Sequence, residues 1–160
     1  MPEQARCFEE IASGDEVMPC VRHMSTAHLV RWCAATENWH RIHYDVPFCV
    51  EHEKLPGPLV NGSWKQQFLV QTMREWLGPT GWLARIGFEF RAMNVAGETL
   101  TAHGTVREAY ERGGFGVVVC DIGIRNQRDE ESTPGRAIGV LPLRGGPPVP
   151  YPFPAELLND

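Results

Sequence analysis

Between Thr36 and Gly62 the chain concentrates the residues that could move protons. The run Asn38-Trp39-His40-Arg41-Ile42-His43-Tyr44-Asp45 puts two histidines, a carboxamide and a carboxylate in one turn-rich segment. A stiff loop, Leu55-Pro56-Gly57-Pro58, then leads to Asn61-Gly62 at the head of an apolar run. Histidine changes charge near neutral pH, so His43 can both take and give a proton. The first N–H groups of a helix lack intrahelical partners, and the dipole there favours negative charge. Gly62, with no side chain, leaves such an N–H open to a ligand. Asn38 could hold a water by its carboxamide oxygen or fix the ring of His43. A base beside a helix start suits a reaction in which an oxygen becomes negatively charged. Spacing alone supports no more than a polar loop beside that helix start.

The elements that position these groups are legible from periodicity. Residues 17–24 read as a short strand, and Pro19 suggests an edge. Ser25 or Thr26 caps a helix that buries Leu29, Trp32 and Cys33 on one stripe and ends near Thr36. Val46 precedes Pro47 and is pushed toward an extended conformation, and residues 48–52 suit a short helix. Asn61 caps a long, deeply buried helix carrying Trp64, Phe68, Leu69, Thr72, Met73, Trp76 and Leu77, which stops at Gly78-Pro79. The pattern then switches to period two. Trp82, Ala84, Ile86, Phe88 and Phe90 alternate with Leu83, Arg85, Gly87, Glu89 and Arg91, as in a half-buried strand. After a turn over 94–98, strands are expected over 99–111 and 115–125, joined by a hairpin at Arg112-Gly113-Gly114, and over 136–143. The expected class is α+β: an antiparallel sheet wrapped around one central helix, the hot-dog arrangement. One domain spans 1–144, and a Pro-rich tail over 145–160 lies on its surface. The open sheet edge and face predict a dimer or higher oligomer.

Composition narrows the function. The chain has 160 residues, 42% hydrophobic and 22% charged, which suits a single globular core. A net charge of −5 with no basic run argues against nucleic acid as a partner. No apolar run is long enough to cross a bilayer, and the acidic start MPEQARCFEE does not read as a signal peptide. The five cysteines form no CxxC pair and are expected to be reduced, in a cytoplasmic protein, with Cys33 and Cys120 as core fillers. His40 and His43 lack a third ligand at telling spacing, so no metal is expected.

At this level the segment resembles the MaoC-like dehydratases, also called R-specific enoyl-CoA hydratases. The carriers are Asn38-Trp39-His40-Arg41-Ile42-His43-Tyr44-Asp45 and the helix start Asn61-Gly62-Ser63-Trp64. The wording is most similar to the branch of hydroxyacyl-thioester dehydratases and mesaconyl-CoA hydratases. Phe8-Glu9-Glu10-Ile11 with Gly14-Asp15, Trp76-Leu77-Gly78-Pro79 and Gly97-Glu98-Thr99-Leu100 look like further landmarks. Two positions depart from the usual pattern: Asn38 stands where the family's catalytic Asp is usual, and Asn61 where a His precedes the helix Gly. The similar branch also carries Asn at the first.

The resemblance implies a hydro-lyase acting on 2-enoyl or 3-hydroxyacyl thioesters, delivered on coenzyme A or an acyl-carrier protein, with no cofactor beyond the coenzyme A of the substrate. It casts His43 as acid/base, Asn38 as the water-holding or orienting partner and the Gly62 N–H as oxyanion donor. His40, Asn61, Ser63 and Trp64 are candidates for lining the substrate site. The plainer readings stand beside these. His43 is then a hydrogen-bonded loop histidine, His40 a loop support, Asp45 a helix cap, and Trp39 and Trp64 core or pocket wall. Ser63 is then a first-turn residue, with no GxSxG elbow around it. Arg41, Lys65 and Arg91 either meet coenzyme A phosphates or are solvated surface. Two other functions remain open: a non-catalytic acyl-CoA-binding subunit paired with a second hot-dog chain, and a thioesterase.

Overall fold

Ser25 opens the first helix by accepting a hydrogen bond from His28 N, and Asn61 opens the second by accepting one from Ser63 N. These two caps fix where the chain leaves extended structure in the computed structural model, which describes residues 5–158. In chain order the elements are strand β1 (Glu16–His23), helix α1 (Thr26–Thr36), a short turn of helix at Arg41–His43, a π-helical turn at Phe48–His52, and helix α2 (Gly62–Leu77). Strands β2 (Trp82–Phe88), β3 (Thr99–Arg112), β4 (Phe115–Arg125) and β5 (Gly135–Pro142) follow. The last strand sits one residue earlier than the sequence pattern suggests.

The strands form one antiparallel sheet in the order β1-β3-β4-β5-β2. Helix α2 lies on its inner face. Trp64, Phe68, Leu69, Met73, Trp76 and Leu77 on one broad helix face pack with Val17, Leu100, Ala102, Val118, Ile124 and Leu141 of the sheet. Gln66, Gln67, Arg74 and Glu75 on the opposite face are exposed. This is the α+β hot-dog arrangement expected from the sequence. Gly78, at φ 75°, ends the helix as anticipated.

β1 and β2 are the sheet edges, and Pro19 falls where the β1–β3 register shifts between Val17 and Cys20. The expected alternation across β2 does not hold. A register shift between Leu83 and Arg85 rephases the strand, so Leu83, Ile86 and Phe88 pack on the core while Trp82 is exposed. Phe90 lies beyond the strand and is 56% exposed. In the tail, Tyr151 meets Trp82 edge-on and buried Phe153 meets Phe115 edge-on. All five cysteines are free. No helix among the described residues is long and apolar enough to cross a membrane.

Candidate functional site

Two backbone clamps place the polar segment against α2. Leu59 N donates to Ile42 O at 2.8 Å, and His43 Nδ1 bonds Leu59 O at 2.9 Å. One residue on, Val60 N donates to Asn94 O at 2.8 Å, and Ala96 N donates to Pro58 O at 2.8 Å. The loop into Asn61 is therefore threaded between the histidine turn and the turn before β3. Cys49, fully buried, adds its thiol to Ile42 O at 3.2 Å.

Asp45 belongs to this scaffold. Its Oδ1 accepts from Phe48 N at 3.0 Å and its Oδ2 from Arg41 Nε at 2.9 Å. The Phe48 N–H, and after it the Arg41 guanidinium, hold its carboxyl below the usual carboxylate range. The Arg41 guanidinium, so paired, also lies 4.2 Å from the Phe48 ring centroid.

The tautomer of His43 follows from its partner. A carbonyl oxygen only accepts, so Nδ1 carries the proton. In the neutral ring Nε2 then holds a free lone pair, as a general base needs. His43 lines a cavity of about 220 Å³ whose wall includes Gly62, Lys65, Phe90, Met93 and Asn94. The Phe90 ring covers Gly62: a Cβ added there would stand 3.0 Å from it.

The cavity thus brings together two of the sequence-derived candidates, His43 and Gly62. The others lie around it. Asn38 accepts from His40 N at 3.4 Å through its Oδ1, closing a turn. His40 is exposed, accepts from Ile42 N at 3.4 Å through Nδ1, and has its ring centroid 6.3 Å from that of His43. Asn61 is buried; its Oδ1 takes Ser63 N at 2.9 Å and Ser63 Oγ at 2.6 Å, while its Nδ2 has no partner. Ser63 Oγ in turn accepts from Trp32 Nε1 at 2.9 Å, tying α1 to the start of α2. Trp64 is a core residue, with its ring against Phe68.

Lys65 is the residue that sequence reasoning undervalued. It is only 3% exposed, lines the cavity, and donates from Nζ to Ala92 O at 3.0 Å. Burial pulls its pKa down to about 8, against a smaller upward pull from Glu98. The signal was present: Lys65, Leu69, Thr72 and Trp76 share one inward helix stripe. The buried thiols point the other way. Burial raises Cys33 and Cys49 and pushes Cys120 up to about 12, so none of the three is an activated nucleophile.

The family described as hydroxyacyl-thioester dehydratase type 2 matches residues 6–98, more than half of the chain. No curated protein matches the sequence. Among solved structures, the (R)-hydratase from A. caviae involved in PHA biosynthesis is 17% identical with a TM-score of 0.74, over 84% of this chain and 99% of that one. The R-hydratase PhaJ1 from Pseudomonas aeruginosa is 14% identical with a TM-score of 0.77, over 86% of each chain. The ChsH1-ChsH2 complex from Mycobacterium tuberculosis contains a chain 17% identical with a TM-score of 0.71, over 81% of this chain and 98% of that one. At such identities these likenesses speak for the shared fold.

Proposed function

This chain belongs to the hydroxyacyl-thioester dehydratase type 2 family, and on that premise we propose that it adds water to 2-enoyl thioesters, or removes it from 3-hydroxyacyl thioesters, with His43 as acid/base. The observation that carries the reading is the Leu59 carbonyl on His43 Nδ1, which leaves a free lone pair on Nε2 of a residue that lines the same cavity as Gly62.

In the hydration direction, Nε2 takes a proton from water as the water oxygen bonds to C3. The electron pair of the C2–C3 double bond moves toward the thioester carbonyl, whose oxygen becomes enolate-like. The Gly62 N–H, at the positive end of α2, bonds that oxygen. The imidazolium then returns the proton to C2, so one water is added and the ring is regenerated. Gly62 serves here because a side chain would press against the Phe90 ring that lies over it. The substrate arrives on coenzyme A or a carrier protein, and two exposed sheet edges favour a homodimer or higher oligomer.

A second reading, the non-catalytic subunit of a hetero-oligomer, draws on Asn38. Its carboxamide oxygen is turned to His40 N, and it is not among the residues lining the cavity. A two-chain assembly is described for the M. tuberculosis proteins. The test is to mix the purified chain with short 2-enoyl-CoA substrates and follow two signals. Loss of enoyl absorbance without thiol release supports the hydro-lyase. Thiol release identifies a thioesterase. Tight binding with neither signal supports the binding subunit.

A further inference from the structure

The turn over residues 94–98 grips the loop that carries the partner of His43. Val60 N donates to Asn94 O and Ala96 N donates to Pro58 O, each at 2.8 Å. Leu59 lies between these two bonds and bridges Val95 in antiparallel fashion. Its carbonyl is the one that takes His43 Nδ1 at 2.9 Å. The aim of that carbonyl is therefore set from the 94–98 side as well as from Ile42.

A buried carboxylate closes this turn. Glu98 is 7% exposed. Its Oε2 accepts from Asn94 Nδ2 at 2.8 Å and from Val95 N at 3.2 Å, reaching back across the turn. Its Oε1 accepts from Arg128 Nη2 at 3.3 Å and from Asn126 Nδ2 at 3.4 Å. Arg128 and Asn126 each have Glu130 as a second acceptor, at 2.7 Å. Asn94, 3% exposed, has no second side-chain partner among the described residues, and its Oδ1 is unpaired. A carboxylate is costly to bury unless hydrogen-bonded, and the bonds it then accepts are strong ones. Glu98 is not among the residues lining the cavity, so it bears on the site through Asn94 and Val95.

We infer that Glu98 is a positioning residue: through the 94–98 turn it aims the Leu59 carbonyl at His43 Nδ1 and so keeps the lone pair of the neutral ring on Nε2. The hydrogen bond made by one ring nitrogen decides which nitrogen carries the proton. On the hydro-lyase reading, on which this inference rests for its effect on rate, a loosened turn slows proton transfer and leaves substrate binding intact. The tautomer itself depends on no substrate.

Two readouts on the full chain test this: long-range proton–nitrogen NMR correlations of His43 with the ring neutral, and kcat and KM on a short 2-enoyl-CoA. The unmodified chain should show a single Nδ1–H pattern. Glu98→Ala should show mixed tautomers, with kcat down about tenfold and KM little changed. Glu98→Gln keeps an oxygen for Asn94 and Val95, and it should restore the single pattern and most of kcat. Arg128→Ala, on the other side of the carboxylate and 58% exposed, should leave both readouts unchanged. A folded Glu98→Ala that keeps the single Nδ1–H pattern overturns the inference, as does an equal shift in Arg128→Ala or an Nε2–H pattern in the unmodified chain. Where Glu98→Ala does not fold, Asn94→Ala removes the 2.8 Å bond alone and decides by the same pattern, mixed in support and single against. A tautomer shift in a chain that hydrates nothing removes the hydro-lyase reading and leaves the role of Glu98 standing.

Discussion

The Nδ1 of His43 donates to the backbone carbonyl of Leu59 at 2.9 Å, and Leu59 N donates back to Ile42 O at 2.8 Å. The ring is thereby held by Leu59, the residue that also ties the approach to α2 to the histidine turn. His40 shows the opposite arrangement, with Nδ1 accepting from Ile42 N at 3.4 Å. The two histidines are thus predicted to hold opposite tautomers when neutral: Nδ1–H in His43 and Nε2–H in His40. Long-range proton–nitrogen NMR correlations on labelled histidines report this. An Nε2–H tautomer for His43 would leave Nε2 without a lone pair and remove the base.

Gly62→Ala places a methyl group 3.0 Å from the Phe90 ring, a contact that the exposed ring can relieve by moving. Stability should change by no more than about 1 kcal/mol, since alanine favours the helix. Hydration should fall by about tenfold or more, because the methyl group and the shifted ring crowd the place assigned to the thioester oxygen. Adding Phe90→Ala should recover part of the loss. Kinetics and thermal melts on the three variants check it. Unchanged kcat/KM in Gly62→Ala would show that the N–H is not approached by substrate.

Lys65 also makes a stability prediction. Its folded pKa, pulled down to about 8, lies below its ordinary value of 10.5, so the unfolded state binds more protons between those limits. Below about pH 8 the folded chain bears the full cost of the buried charge. That cost is relieved as pH rises through the window, by about 3 kcal/mol at most. Lys65→Met should be at least as stable as the unmodified chain at pH 7, and its advantage should shrink toward pH 10. Denaturant titrations at both pH values read the difference. A variant destabilised at pH 7 would mean that the bond to Ala92 O outweighs the buried charge.

Asp45 acts in the opposite sense. Its carboxyl is held low by Phe48 N–H and Arg41, so the support it gives is present above the ordinary aspartate range and lost as pH falls through its folded pKa. Asp45→Asn should lower the melting temperature at pH 7, and the gap should close under acid. Activity should fall with it, because Asp45 anchors the turn that carries His43. Parallel melting curves from pH 7 to pH 3 test this. A constant gap would assign the effect to packing rather than charge.

Much of the scaffold was legible because it rests on local signals. Ser25 and Asn61 cap where their side chains suggest, and Gly78 stops α2. The Gly113-Gly114 hairpin, with φ of 61° and 82°, follows from residues that tolerate positive φ. What escaped depended on long-range contacts. The β2 bulge is set by pairing with β5 and leaves no mark in the hydrophobic alternation. His43 stood out by type, but its partner is a backbone carbonyl of Leu59, which no side-chain pattern announces. Lys65 was set beside ordinary surface cations because its charge outweighed its place on the inward stripe of α2. Asn38 and Asp45 look alike as site candidates in sequence; only the geometry separates turn closure and helix capping from the cavity wall.

The most direct test of the central claim is the loss of enoyl absorbance when the purified chain meets a short 2-enoyl-CoA, with His43→Ala and a thermal melt run beside it. The variant loses one hydrogen bond to Leu59 O and should stay folded, within about 1 kcal/mol. With His43 as acid/base, the unmodified chain hydrates the substrate and the variant is slower by about a thousandfold. Undiminished hydration by folded His43→Ala would contradict it.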